Sequence, residues 1–160
     1  MDWQDEDDEV GFVVARADWV KDESAIRRIR EAVFVEELGI PPELEWDGTD
    51  EDCAHFLAYA LDGTPIATAR LTAEGQIGRM AVLPEWRGHG VGSALLSELL
   101  ALAEAMGLEM VFLNAQCASA AFYHRHGFLP HGETFEAAGI PHVRLYRYLG
   151  DPEDPPTLVS

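Results

Sequence analysis

Between Gln76 and Met106 the chain passes from an apolar run into a glycine-spaced loop and then into a long apolar-striped segment. Gln76 to Leu83 reads as a strand after the turn at Glu74-Gly75. The loop is Arg87-Gly88-His89-Gly90-Val91-Gly92. Val91, Leu95, Leu96, Leu99, Leu102, Ala103 and Met106 then recur at helical spacing, so Gly90 to Met106 is predicted to be a helix that Gly107 ends. A helix with one apolar face must pack on a sheet or another helix. The loop is constrained as strongly. Glycines allow close backbone approach and positive φ. The first turn of a helix offers unpaired N–H groups and a partial positive charge. Together they predict an anion site of the kind that takes a pyrophosphate, with Arg87 adding a fixed charge nearby.

Three other kinds of loop share parts of this pattern. A plain glycine-rich turn is the simplest. Dinucleotide binding is suggested by Gly88-x-Gly90-x-x-Ser93, which approaches G-x-G-x-x-G. However, Pro84-Glu85-Trp86-Arg87 separates the strand from the glycines, and the next strand ends in Asn114 without an acidic residue for a ribose. A P-loop is excluded, because no Gly-Lys-Ser/Thr follows.

The remaining pattern fits one domain over residues 10–149. Val10 to Ala17 reads as a strand, and Asp22 or Ser24 is expected to cap a helix running to about Leu38, stopped by Gly39-Ile40-Pro41-Pro42. A polar loop is expected to Asp52. His55 to Leu61 and Ile66 to Thr72 form a hairpin around Asp62-Gly63. Glu109 to Asn114 is a strand, Ala118 to His126 a short helix, and Phe128 to Thr134 and His142 to Tyr148 are strands. The order β-α-β-β-β-α-β-α-β-β predicts an α+β fold with a central mixed sheet flanked by helices. Residues 1–9 and 150–160 are acidic, and the latter proline-rich; both are expected to stay outside the packed domain.

Charge restricts the partners. The 160 residues carry a formal net charge of -18, and Lys21 is the only lysine. Such a surface repels nucleic acid and anionic membrane. Two sources of the acidity remain open: a site that attracts a cationic amine, or adaptation of the whole surface to high salt as in halophiles. The spread of acidic residues along the chain favours the second. No apolar stretch approaches the roughly 20 residues that cross a bilayer, and no basic n-region with an apolar h-region opens the chain. Cys53 and Cys117 fit no disulfide framework or metal spacing. A cytoplasmic protein is expected.

Two spaced segments resemble a known family. Arg87-x-x-Gly90-x-Gly92 is similar to the Q/R-x-x-G-x-G/A signature of the GNAT N-acetyltransferase superfamily. Ala121-Phe122-Tyr123-His124-Arg125-His126-Gly127-Phe128 resembles its later A-x-x-F-Y-x-x-x-G-F segment. Val33-Phe-Val-Glu-Glu37, Ile77-Gly-Arg-Met-Ala-Val82, Asn114-Ala-Gln116 and Gly139-Ile-Pro-His142 look more narrowly like the ElaA/YjcF-like branch. The resemblance covers nearly the whole domain. It implies acetyl-CoA as co-substrate, with no metal. It implies that the strand before the loop splays from its neighbour, so that Met80, Ala81 and Val82 pair with the pantetheine and acetyl group. The loop from Arg87 through Gly88, His89, Gly90, Val91 and Gly92 to Ser93 would take the pyrophosphate. Gln116 falls near the CoA arm, Phe122 beside it, and Tyr123 on the position of the general acid. Tyr123 suits that role: a phenol is protonated at neutral pH and can donate to a leaving thiolate.

The base is less well marked. The glutamate that many GNAT enzymes carry aligns here with Val111. Glu37, Asp47, Glu133 and His142 are the candidates, each with a surface or structural role as the plainer alternative; His142 is preferred because it lies in the branch-like segment. Phe34, Arg70 and Arg79 are candidate substrate contacts. His124 and His126 point apart on a short helix and do not suggest a shared metal. Cys117 leaves a covalent route open, against the family's direct transfer in a ternary complex. The expected reaction is acetyl transfer to a primary amine, on a small molecule or a peptide. The alternatives are a non-catalytic acyl-CoA-binding sensor and an acyl-homoserine-lactone-synthase-like enzyme. A homodimer is left open.

Overall fold

The computed structural model describes residues 11–150. The elements follow the predicted order. β1 (Phe12–Ala17) leads into α1 (Trp19–Arg30), which continues as a π-helix over Glu31–Glu37. A short α2 (Pro42–Glu45) and a 3-10 turn (Asp50–Asp52) precede β2 (Ala54–Ala60), β3 (Pro65–Leu71) and β4 (Ile77–Val82). Then come α3 (Val91–Ala105), β5 (Met110–Gln116), α4 (Ala120–Arg125), β6 (Leu129–Ala137) and β7 (Ile140–Tyr148). The expected strand start at Val10 lies outside the described residues.

β1 to β4 form an antiparallel meander, and β5, β7 and β6 a second antiparallel sheet in that order. Side chains alternate across the first sheet. Leu57 packs with Ile26, Ile29 and Val33 of the α1 region on one face. Phe56 and Ala58 pack with Val91, Leu95, Leu96 and Leu99 of α3 on the other. Covered on both faces, β2 and β3 are buried almost throughout. Leu95, Leu96 and Leu99 are fully buried, each contributing roughly 1.5–3 kcal/mol relative to exposure. No helix among the described residues is long and apolar enough to cross a membrane.

The first helix begins earlier than its sequence suggests. Asp18, rather than Asp22 or Ser24, is the N-cap, and its carboxylate accepts the Val20 N–H at 3.1 Å. Asp22 instead reaches back from within the helix to accept the Asp18 N–H at 2.9 Å. Trp19, stacked on His55 with 4.9 Å between ring centroids, extends the helix onto the sheet. The segment expected to be a polar loop up to Asp52 holds two helical turns and two buried acids, Glu45 and Asp50.

The two sheets meet at one point. Gln76 and Phe112 form a parallel bridge, and the Phe112 N–H donates to the Gly75 carbonyl at 3.0 Å. Gly75 is required there: its φ is +101°, and a Cβ would sit 2.9 Å from the Met110 carbonyl oxygen. Beyond this bridge β4 pairs only with β3, and β5 only with β7. The strands therefore splay, leaving one edge of β4 unpaired and facing a cleft. A bulge interrupts the β3–β4 pairing of this strand, where Arg79 and Met80 together oppose Ala69 of β3. Arg79 is held at φ +50°.

Candidate active site

The cleft encloses about 690 Å³, within the usual range for small-molecule sites. Its walls are the free edge of β4 (Met80, Ala81, Val82), the loop and first turn of α3, helix α4, and the π-helix. The π-helix is closed where the Leu38 N–H bonds the Val33 carbonyl five residues back, at 3.0 Å, and the Ile40 N–H caps its end on the Phe34 carbonyl at 2.9 Å. A widened turn of this kind often marks a functional site; here it lines the cleft with Val33, Phe34, Glu37 and Leu38.

Gly90 is the N-cap of α3 in the left-handed conformation, φ +84°, with no side chain closing the helix end. Gly88 and Gly90 have open space where a Cβ would stand. The Val91, Gly92 and Ser93 backbone thus starts the helix beside the cleft, with its first N–H groups unclaimed by the helix itself. Gly92 lies against Phe122, whose ring would be 3.4 Å from an added Cβ. Ser93 Oγ is 3.0 Å from His126 Nε2. A phosphate-bearing arm fits this end: open backbone donors, a positive helix terminus and room above two glycines.

Arg87 is not a free cation there. Its two terminal nitrogens donate to the Glu37 carboxylate at 2.7 and 2.6 Å, and its Nε donates to the Val82 carbonyl at 2.9 Å. The arginine joins the loop to the π-helix across the cleft. Its hydrogen bond to Glu37 holds that carboxyl below the ordinary carboxylate range. A carboxylate so held is a poor proton acceptor, which weighs against Glu37 as the base.

A second cavity, about 180 Å³, continues from the first. Phe34, Met80, Gln116, Ser119 and Tyr123 line both, so the junction lies among them. Among the described residues, Tyr123 Oη donates only to Met80 Sδ, at 3.8 Å. Burial pushes its phenol up to about 12. Phe122 and Phe128 meet its ring edge-on and fix its orientation. His142 lines the second cavity, paired with Gln116 across β5 and β7. Its Nδ1 lies 2.7 Å from the Ile140 carbonyl, which can only accept. Nδ1 therefore carries the proton in the neutral ring, and Nε2 keeps a lone pair.

The floor beside this cavity is a charge cluster. Arg30, fully buried, donates from Nε to Glu45 Oε2 at 2.7 Å and from Nη1 to Asp50 at 2.9 Å. Arg70 donates to Asp47 and Asp50, and Arg79 to Asp47 and the Glu45 carbonyl. Trp46 lies 4.5 Å from the guanidinium carbons of both Arg27 and Arg30. Burial alone would raise the Asp47 and Asp50 carboxyls, but their arginine partners hold both low. Asp47 is thus an anchor of the 42–52 segment and lines neither cavity. Arg70 is likewise committed to acids, whereas Arg79 lines the second cavity. Glu133 is exposed on β6, away from both cavities. His89 packs edge-on to Trp86, with centroids 5.7 Å apart, and does not line the cleft.

Several cavity residues escaped the sequence reading. Arg125 and Ser119 line the cleft from α4 and the turn before it. Arg125 stands inside the segment that marked Tyr123, so its position could have been read. Glu45 lines the second cavity, but nothing separated it from the exposed acids around it.

The splayed strands, the glycine-capped helix and the buried tyrosine at the junction together define an acyltransferase of the GNAT type. A model of the GNAT acetyltransferase family matches residues 23–128, and the chain belongs to that family. Among its relatives is the uncharacterized N-acetyltransferase YjcF of Bacillus subtilis, 34% identical over 124 residues, or 74% of this chain and 87% of that one. Escherichia coli ElaA matches in structure with a TM-score of 0.73 and 31% identity, covering 86% of this chain and 99% of that one. An acyl-CoA N-acyltransferase from Pseudomonas aeruginosa does so with a TM-score of 0.73 and 32% identity, over 86% and 99%.

Proposed function

We propose that the protein transfers an acetyl group from acetyl-CoA to a primary amine by direct attack in a ternary complex. The observation that carries this reading is the position of Tyr123, at the junction between a cleft with a helix-terminus anion site and a smaller polar cavity. Acetyl-CoA, when bound, supplies the activated acyl thioester. The Gly88 to Ser93 backbone holds its pyrophosphate, and the free edge of β4 at Met80 to Val82 hydrogen-bonds its arm. The acceptor amine enters from the second cavity. His142 Nε2 accepts the amine's proton, a nitrogen–carbon bond forms, and the carbon–sulfur bond breaks. Tyr123 donates a hydrogen bond to the departing sulfur, which leaves with the electron pair. Lining by Phe34, Met80 and Tyr123 keeps the reacting centre largely apolar, so water competes poorly with the amine.

Acetyl-CoA turnover across a panel of amines tests this. Acetylated product should form with at least one amine, and His142→Asn should lower kcat/KM by about 10²-fold or more, with recovery when imidazole is added. Binding of CoA without thiol release on any amine favours the non-catalytic alternative. Normal turnover by His142→Asn removes it as the base.

A further inference from the structure

The second cavity is unusual in its polar lining. Glu45, Arg79 and His142 line it, and each keeps one polar atom without a hydrogen-bond partner among the described residues. The Glu45 side chain is only 4% exposed. Its Oε2 is held by Arg30 Nε at 2.7 Å and lies 3.3 Å from Arg79 Nε, while Oε1 takes no hydrogen bond. Arg79 donates from Nε and Nη2 to the Glu45 carbonyl, at 3.2 and 3.1 Å, and from Nη2 to Asp47 at 3.2 Å. Its Nη1 is left over, and it is not among the sealed, unsatisfied atoms of the interior. His142 Nε2 is the third.

Two features set this group apart from an ordinary ion-pair anchor. Arg79 is a non-glycine residue at positive φ, +50°, on the bulge beside the β4 edge. Strain of this kind persists where surrounding structure over-determines it, and it collects at ligand sites. Glu45 is a carboxylate more than nine-tenths buried, yet its Oε1 takes no hydrogen bond from the described residues and, like Arg79 Nη1, is not sealed from the cavity, so it stands open to a ligand donor. The charges of the cluster also matter. Arg30, Arg70 and Arg79 balance Glu45, Asp47 and Asp50, so the cavity presents a local dipole and little net charge. A bare polyamine or a bare anion would meet one favourable end and one unfavourable one.

We propose that the acceptor is a small amino acid: an amine that carries its own carboxylate. This rests on the acetyl-transfer reading above. The carboxylate takes Arg79 Nη1 as a charge-assisted donor, and the amino end lies toward Glu45 Oε1 and His142, which accepts its proton. The cavity, about 180 Å³, lies below the usual range for drug-sized ligands, so short side chains are favoured.

Acceptors should be compared in pairs, each amino acid against its own carboxamide, for wild type, Arg79→Gln and Arg79→Lys. In wild type, kcat/KM should favour the free carboxylate by about tenfold or more, the share of one charged hydrogen bond. Arg79→Gln should bring the ratio close to unity, and Arg79→Lys, which keeps the charge, should restore part of it. CoA affinity should be unchanged in all three, a readout that also reports folding. Equal use of the carboxamide by wild type, or a ratio indifferent to Arg79→Gln, overturns the proposal. If wild type binds CoA but acetylates no amine, the transfer reading itself fails. Calorimetric titration of the same pairs onto CoA-saturated protein then decides: carboxylate-selective binding lost in Arg79→Gln supports the acceptor site, and equal or absent binding refutes it.

Discussion

Replacing Tyr123 with phenylalanine removes one oxygen from the junction of the two cavities and leaves the ring in place. The structure sets the expected magnitude. Burial pushes the phenol up to about 12, whereas an ordinary thiol lies near 8.5. Full proton transfer to a departing thiolate would then run about 3.5 units, or about 5 kcal/mol, uphill. Tyr123 should therefore act as a hydrogen-bond donor that stays protonated. A hydrogen bond to a charged group contributes about 1.5–3 kcal/mol, so Tyr123→Phe should lower kcat by about 10- to 150-fold. Stability and KM for acetyl-CoA should barely change, because the only described partner of Oη is the Met80 sulfur at 3.8 Å and the ring contacts remain. Initial rates of thiol release at saturating acetyl-CoA, across pH, provide the assay. The wild-type profile should show no alkaline decline from this group up to about pH 10. An unchanged kcat in Tyr123→Phe would refute the reasoning.

Other consequences follow from the charges. Arg30→Met leaves Glu45 and Asp50 buried without their shared cation, and should cost about 3–5 kcal/mol of unfolding free energy in denaturant titrations. The same cluster should weaken in acid. Asp47 and Asp50 are held below their unfolded values, so their share of stability is complete above about pH 4 and lost as pH falls through the lower folded values. Burial raises Glu45 instead; its contribution has the opposite sign, present at low pH and lost as pH rises through the folded value, and blunts that loss. Unfolding free energies measured from neutrality down to acid should decline, and a rise would contradict the assignment. If the net charge of -18 reflects adaptation to salt, the thermal midpoint should climb between dilute and about 1 M KCl, where the Debye length is about 3 Å. A flat response would favour a local origin for the acidity.

Much of this architecture is legible in the sequence because it is carried by local spacing. The glycines at 88, 90 and 92 and the apolar stripe of α3 each state their conformation within a few residues. The Phe122-Tyr123 pair sits on a helix that a glycine stops. What the sequence conceals is set by contacts between distant residues. Arg87 pairs with Glu37 fifty positions away, so an arginine read as a free charge is a strut across the cleft. Arg30 meets Asp50 twenty positions on, and nothing in the acidic run from Glu43 to Asp52 marks which acids are buried. The π-helix over Glu31–Glu37 continues the apolar run of α1, and its widened turn leaves no mark in that pattern. The bulge that turns Arg79 toward the second cavity depends on pairing with β3. The first cap is ambiguous for a related reason: Asp18 and Asp22 both contribute to it, and Trp19, stacked on distant His55, belongs to the helix that Asp18 caps.

The central claim is that the Gly88 to Ser93 turn and the open edge of β4 hold acetyl-CoA. Thermal unfolding with CoA, against an equal concentration of a nicotinamide dinucleotide, tests it most directly. CoA at about 100 times its Kd should stabilise the fold by roughly 2.7 kcal/mol, and the dinucleotide should not. No shift with CoA at any salt concentration, or an equal shift with the dinucleotide, would contradict it.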